Sequence, residues 1–314
     1  MLPKNRSLPR LVAAALFGSA VTLLVITSQQ PTKDHITGNS AHVRNKRSVS
    51  SDVSDVASLS PPEVVTQLAQ LLSPASQRSV CRSTIYPGGR CGCDDISGDD
   101  SCGVTPLMDP RTPVCLGKGL LLPGKPCLVY SAGIEAGLSF ETELAKFGCT
   151  VHVFDPLQQV NASYIPEHVH VHPIGLAGNS HVMSYNNREY DMFSFDDLVQ
   201  EAGHQRHQID YLKMNVLDGW GVLLQQSGSG ATLRKIPQLA MTLRFPRKVY
   251  EGSADKDEPS YGHSLRGYLK QLRALQAAGH QLVLSQPGKE KFDGTNLSHE
   301  YRTFWVRKCT AYCR

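Results

Sequence analysis

Residues 127–156, CLVYSAGIEAGLSFETELAKFGCTVHVFDP, decide the fold. The stretch opens with the apolar run Leu128-Val129-Tyr130, which reads as a buried strand. A small, permissive turn follows from Ser131 to Gly137. Ser139 stands where it can cap the segment Phe140 to Phe147, in which Phe140, Leu144 and Phe147 recur at helical spacing. Gly148 ends that helix as a C′ glycine would. Thr150 to Phe154 then reads as a second strand, closed by Asp155-Pro156.

Strand, glycine turn, helix and a strand ending in an acid form the nucleotide-binding half of a doubly wound, Rossmann-like α/β sheet. Glycine lets the backbone approach a ligand at the mouth of such a sheet, and the helix start supplies N–H donors. An acid about 20 residues further on can accept hydrogen bonds from both hydroxyls of a ribose, and Asp155 stands at that kind of distance from Gly133. The glycines read G-x-x-x-G and not G-x-G-x-x-G. A mononucleoside-like cofactor such as S-adenosyl-L-methionine therefore fits better than a dinucleotide. Any αβ domain with a glycine turn and a strand-end Asp meets the same spacing.

The whole chain, 314 residues with a formal net charge of +4, holds one sizeable domain plus extensions. Its basic residues are dispersed, so no nucleic-acid partner is indicated. Nine cysteines point to an oxidising compartment. Residues 1–27 carry Lys4, Arg6 and Arg10 ahead of the uncharged run Leu11 to Thr27. That pattern is read as a short cytoplasmic tail and a signal-anchor helix holding the protein to the membrane, with a cleaved signal peptide as the other reading. The expected topology is a single-pass type II membrane protein with its bulk in the Golgi or secretory-pathway lumen. Residues 28–59 are mostly polar and aperiodic, as in a flexible stalk. Within them Arg44-Asn45-Lys46-Arg47-Ser48 matches the pattern cut by furin-type proprotein convertases. Cleavage after Arg47 would release a secreted form, and a solvated basic cluster is the alternative.

Residues 60–126 begin with Ser60-Pro61-Pro62-Glu63, a capping-box start to a short helix whose Val64, Val65, Leu68, Leu71 and Leu72 form one stripe. Cys81, Cys91, Cys93, Cys102 and Cys115 follow at spacings that suit disulfides better than metal ligation, and Cys309 and Cys313 join them or pair with each other. In residues 127–314, His168, His170 and His172 alternate at the strand period, read as the polar face of a strand more than as a metal site. Ser194 to Ala202 and Ser264 to Ala278 read as helices. Ile209 to Leu217, Pro237 to Arg244, Gln281 to Ser285 and Thr303 to Val306 read as strands. The sequons at Asn161 and Asn296 would be usable in a lumen.

With these segments in view, Leu128 to Val306 resembles the class I S-adenosylmethionine-dependent methyltransferases, and more closely the methyltransferase-like protein 24 group of membrane-anchored or secreted proteins. The resemblance is carried in order by residues 127–156, then HPIGLAG, IDYLKMNVLDGW, PQLAMTLRF and YLKQLRALQAAGHQLV. It implies that Ser131 and Gly133 lie in the loop cradling the methionine part of the cofactor. It further implies that Asp155 holds the ribose and that Asn215 ends the fourth strand beside the transferred methyl. Where the family reads L-K-x-D-x-E, this chain has Leu212-Lys213-Met214-Asn215-Val216-Leu217. Where the family carries E-x-H after Q-L, it has Met241-Thr242-Leu243-Arg244. Asn215 can hydrogen-bond but takes no proton at neutral pH, and Leu217 does neither.

Three readings follow. One is a secretory-pathway methyltransferase, acting on an acceptor the motifs do not specify and needing little beyond orientation of a good nucleophile. A second is a catalytically inactive methyltransferase-fold protein that serves as a binding module. The third is a glycosyltransferase, for which Asp255-Lys256-Asp257 would be the metal motif; that copy lacks a preceding apolar strand.

Overall fold

A strand buried on both faces must be apolar nearly throughout, and the strands at the centre of this chain are. The computed structural model describes residues 55–73, 81, 83–89, 111–134, 137–157, 165–226, 231–245, 258–292 and 294–308, all within the unit Ser48–Arg314. The expected membrane segment, Arg47, Cys91, Cys93, Cys102, Cys309, Cys313, Asn161 and Asp255-Lys256-Asp257 lie outside the described residues. Among the described residues no helix is long and apolar enough to cross a membrane.

Seven strands make the central sheet: β3 (Cys127–Ala132), β4 (Cys149–Phe154), β5 (Val169–His172), β9 (Tyr211–Met214), β10 (Gln238–Arg244), β11 (His280–Pro287) and β12 (Glu300–Arg307). Their order is β5-β4-β3-β9-β10-β12-β11. Neighbouring pairs from β5 to β10 are parallel, while β12 runs antiparallel to both β10 and β11. The strand order turns back between β3 and β9, which makes their carboxyl ends the switch point where such sheets bind ligands.

Two cores cover the sheet. On one face Tyr130, Leu212, Leu239 and Trp305 pack against α1 (Pro61–Leu71), α3 (Phe195–Glu201), α4 (Gly219–Gln225) and α5 (Glu258–Ala277). On the other, Val129, Val151, Tyr211 and Phe304 meet Phe140 and Leu144 of α2 (Ser139–Phe147), together with the ribbon of β1 (Ser83–Ile85) and β2 (Val114–Leu116). Helix α1 starts as expected: the Glu63 carboxylate accepts the Ser60 amide at 2.8 Å and its hydroxyl at 2.6 Å. Arg266 donates to the Leu59 carbonyl and Arg273 to Gln67, tying the helix to α5.

Several expectations are corrected. Ser139 is the first helical residue of α2, and Leu138 is its N-cap. The strand expected from Ile209 to Leu217 is shorter, because Asp210 bonds the Leu128 amide before the strand and the chain turns into α4 after it. A small sheet, β6 (Gly175–Leu176), β8 (Arg188–Phe193) and β7 (His181–Tyr185), occupies a stretch with no expected element. Its hairpin turns at Asn186 and Asn187, with φ of 50° and 57°, as a two-residue type I′ turn requires. His168, with φ of 65°, precedes β5, so His170 and His172 share a strand face without it. Among the described residues two disulfides are present, Cys81–Cys115 and Cys127–Cys149, and the second joins the first residues of β3 and β4.

Candidate functional site

Gly133 is where three strand ends meet. Its φ of +82° suits glycine, and a Cβ added there would overlap the carbonyl oxygen of Asn215. The Gly133 amide donates to the Phe154 carbonyl at 2.9 Å, and the Asn215 amide donates to the Ala132 carbonyl at 2.8 Å. The ends of β3, β4 and β9 are thus laced together, which brings the expected site residues Gly133, Asp155 and Asn215 to one crevice. Asp155 is buried, and its carboxylate accepts the amides of Ile134 at 2.7 Å and Leu157 at 2.8 Å. A carboxylate oxygen can accept more than one hydrogen bond, so holding backbone amides does not by itself bar a carboxylate from accepting hydroxyls.

Ser131 is not part of that crevice lining. Strand alternation turns its side chain under α2, where it is fully buried and donates to Glu141 Oε1 at 2.5 Å. Lys213 Nζ reaches the same oxygen at 3.1 Å and stands 4.9 Å from the Phe140 ring centroid. The side chains of the ion pair are 6% and 0% exposed. Glu141 Oε2 is buried and has no hydrogen-bond partner among the described residues. Sequence reasoning missed this pair, since a Glu in the first turn of a helix ordinarily reads as a solvated charge near the dipole.

Beyond Asn215 the site changes character. Asn215 Oδ1 accepts from Arg244 Nη2 at 2.8 Å, and Arg244 Nε donates to Glu300 Oε2 at 2.9 Å. Leu217 is 84% exposed. A pocket opens over this part of the sheet, bordered by Arg111, Lys213, Asn215, Thr242, Arg302 and Phe304. Asp218, also unnoticed in the sequence, caps α4 by accepting the Gly221 amide at 3.1 Å and holds the Gly178 amide at 3.0 Å. Among the described residues no group of three or more His, Cys, Asp or Glu is placed to hold a metal ion.

Chemically, the crevice offers a glycine turn, the carboxylate of Asp155 and the amide side chain of Asn215 around a switch point. It can hold a nucleoside by hydrogen bonds, and no strong base stands among these residues. The residues therefore fit the cofactor expected from the sequence, with Ser131 supporting the loop from behind.

The comparisons bear on this arrangement. A family model described as "Methyltransferase domain" matches residues 97–221, which include β3, β4, β9 and every expected site residue. No curated protein matches the chain. Among solved structures it is similar to a putative hemolysin from Streptococcus thermophilus, with 9% identity, 60% of this chain and 62% of that chain covered, and a TM-score of 0.34. It is also similar to Aeropyrum pernix fibrillarin in complex with natively bound S-adenosyl-L-methionine, with 9% identity, 60% and 71% coverage, and a TM-score of 0.26. The match spans less than two thirds of the hemolysin's length. The family match lies over the glycine turn and the switch point of the sheet, and it supports a class I methyltransferase-like domain in this part of the chain.

Proposed function

We propose that the protein is an S-adenosyl-L-methionine-dependent methyltransferase of the secretory pathway. The observation that carries this reading is the convergence of Gly133, Asp155 and Asn215 at the β3–β9 switch point inside the segment that matches a methyltransferase domain. When bound, the cofactor supplies an electrophilic methyl group. Gly133 would admit it to the backbone, Asp155 would accept its ribose hydroxyls, and the acceptor would enter from the pocket beside Asn215 and Thr242. The luminal setting is supported by the two disulfides, which persist in oxidising compartments. Residues 1–27 would anchor the chain in the membrane, and cleavage after Arg47 would release it.

Calorimetric titration of S-adenosyl-L-methionine into the full chain tests the reading. Asp155→Asn is the more informative variant, because it keeps a carbonyl oxygen for one of the Ile134 and Leu157 amides, whereas Asp155→Ala would release both. Micromolar binding by the wild type, weakened about tenfold or more in Asp155→Asn, is expected for a lost bond to a charged acceptor. No binding by the folded wild type would sink it.

A second reading, an inactive methyltransferase-fold binding module, is favoured by Asn215, whose carbonyl is taken by Arg244, and by the exposed Leu217. Asn215→Asp/Leu217→Glu discriminates: methyl transfer gained by the double variant alone would establish an inactive wild type.

A further inference from the structure

Five histidines far apart in sequence gather at one edge of the sheet. His152 on β4 stacks on His170 and His172 of the edge strand β5, with ring centroids 4.8 and 5.2 Å apart. His204, in the turn after α3, meets His152 edge-on at 4.6 Å, and His207 meets His204 at 5.2 Å. His152 Nδ1 lies 2.9 Å from His172 Nε2, and the Tyr130 hydroxyl lies 2.7 Å from His204 Nδ1. Phe154 closes the cluster against Tyr130 and His172.

This arrangement excludes charge on both His152 and His172 at once. The His152–His172 bond needs one nitrogen to donate and the other to accept, and an imidazolium has no acceptor nitrogen. Charged rings at these spacings would also repel. Among the described residues the ionisable groups facing the cluster are Tyr130 from β3, Glu201 from α3 and the imidazoles themselves, and Glu201 is the carboxylate that favours charge on His172. Burial, with His204, His172 and His170 nearby, holds the His152 imidazole down to about 3. Burial likewise lowers His172, with His170 adding to it, and His204, with His207 and His170 adding to it.

The edge matters because of what it holds. The Asp155 amide donates to the His172 carbonyl at 3.2 Å, and the Val151 amide to the His168 carbonyl at 2.9 Å. Among the described residues strand β5 has a single neighbour in the sheet, β4. We propose that the imidazoles of His152, His172 and His204, packed against His170 and His207, form an acid-sensitive latch, whose protonation frees β5 and the turn after α3 and so loosens the strand end that carries Asp155. The latch acts whether or not the domain transfers methyl groups.

The direction follows from linkage. An unfolded imidazole titrates at about 6.5, and those of His152, His172 and His204 lie lower in the fold, so the latch is intact above about pH 6.5 and is lost as pH falls below it. Each ring kept neutral contributes about a tenfold rise in the local opening equilibrium between about pH 7.5 and about pH 5.5.

Amide hydrogen exchange of the full chain at these two pH values, corrected for intrinsic rates, reads this equilibrium by segment. Opening is expected to rise at least about tenfold at residues 149–157 and 165–172 but not in β10 or β12. Equal change across the sheet, or none at its edge, would overturn the latch. His172→Gln/His204→Gln removes two titrating rings and should shrink the edge response at least about tenfold. Should that variant not fold, His170→Gln, at an exposed position, removes a neighbour that lowers His152, His172 and His204 and should still shrink the response about twofold or more; an unchanged response would refute the proposal. A melting temperature raised by stoichiometric zinc at about pH 7.5, and lost in these variants, would overturn it in favour of a metal site.

Discussion

At the scale of single residues, two positions near the crevice carry consequences their sequence context does not announce. Gly133 is demanded by the Asn215 carbonyl that crosses it, as well as by any ligand. Gly133→Ala combines a left-handed backbone with a steric overlap and is expected to destabilise by more than about 2 kcal/mol in urea unfolding. Lys213 is the partner of a buried carboxylate. Lys213→Met leaves the Glu141 charge uncompensated at a cost of about 3–5 kcal/mol. Lys213→Met/Glu141→Gln removes both charges and should recover most of that loss; a double variant no more stable than the single one would mean the pair is not what holds this site. Glycine at 133 and the acid at 155 were legible because their chemistry is local. The partners of Ser131 were not, because Lys213 arrives from a strand whose sequence position says nothing about which helix lies over it.

At the scale of elements, the alternation of apolar runs and turns marked most of the sheet. Strands β3, β4, β10 and β12 and helices α1, α2 and α5 fall where periodicity expects them, with ends shifted by a few residues. The hairpin β7–β8 was missed although Asn186-Asn187 is a turn signal, because its strands are largely exposed and lack an apolar alternation. Helix α4 was missed because it is short, and its Gly219 and Gly221 lower its intrinsic propensity. The bond between Cys127 and Cys149 closes a sequence separation of 22 at the amino ends of adjacent parallel strands. Cys127→Ala/Cys149→Ala is expected to lose about 3 kcal/mol, read as a lower denaturation midpoint with a slope no shallower than that of the wild type.

At the scale of the whole molecule, α1 belongs to the main core, with Val64, Leu68 and Leu72 fully buried and the Leu72 carbonyl accepting the Ser285 hydroxyl at 2.6 Å. Leu68→Ala should therefore cost about 2–5 kcal/mol in the global transition, not merely fray a terminal helix. Calorimetric unfolding checks this: a single transition moved to lower temperature is expected, and a separate early transition would make α1 an appendage.

The sequence alone determined the αβ alternation, the glycine turn, the acid at the end of β4 and the family resemblance. Each depends on residues close together in the chain, where spacing is enough. Tertiary structure alone decided which face Ser131 takes, that Glu141 meets Lys213, that Arg244 claims the Asn215 carbonyl and that five histidines share one edge. Those contacts join residues from different elements, and only the order in which strands enter a sheet determines which side chains become neighbours.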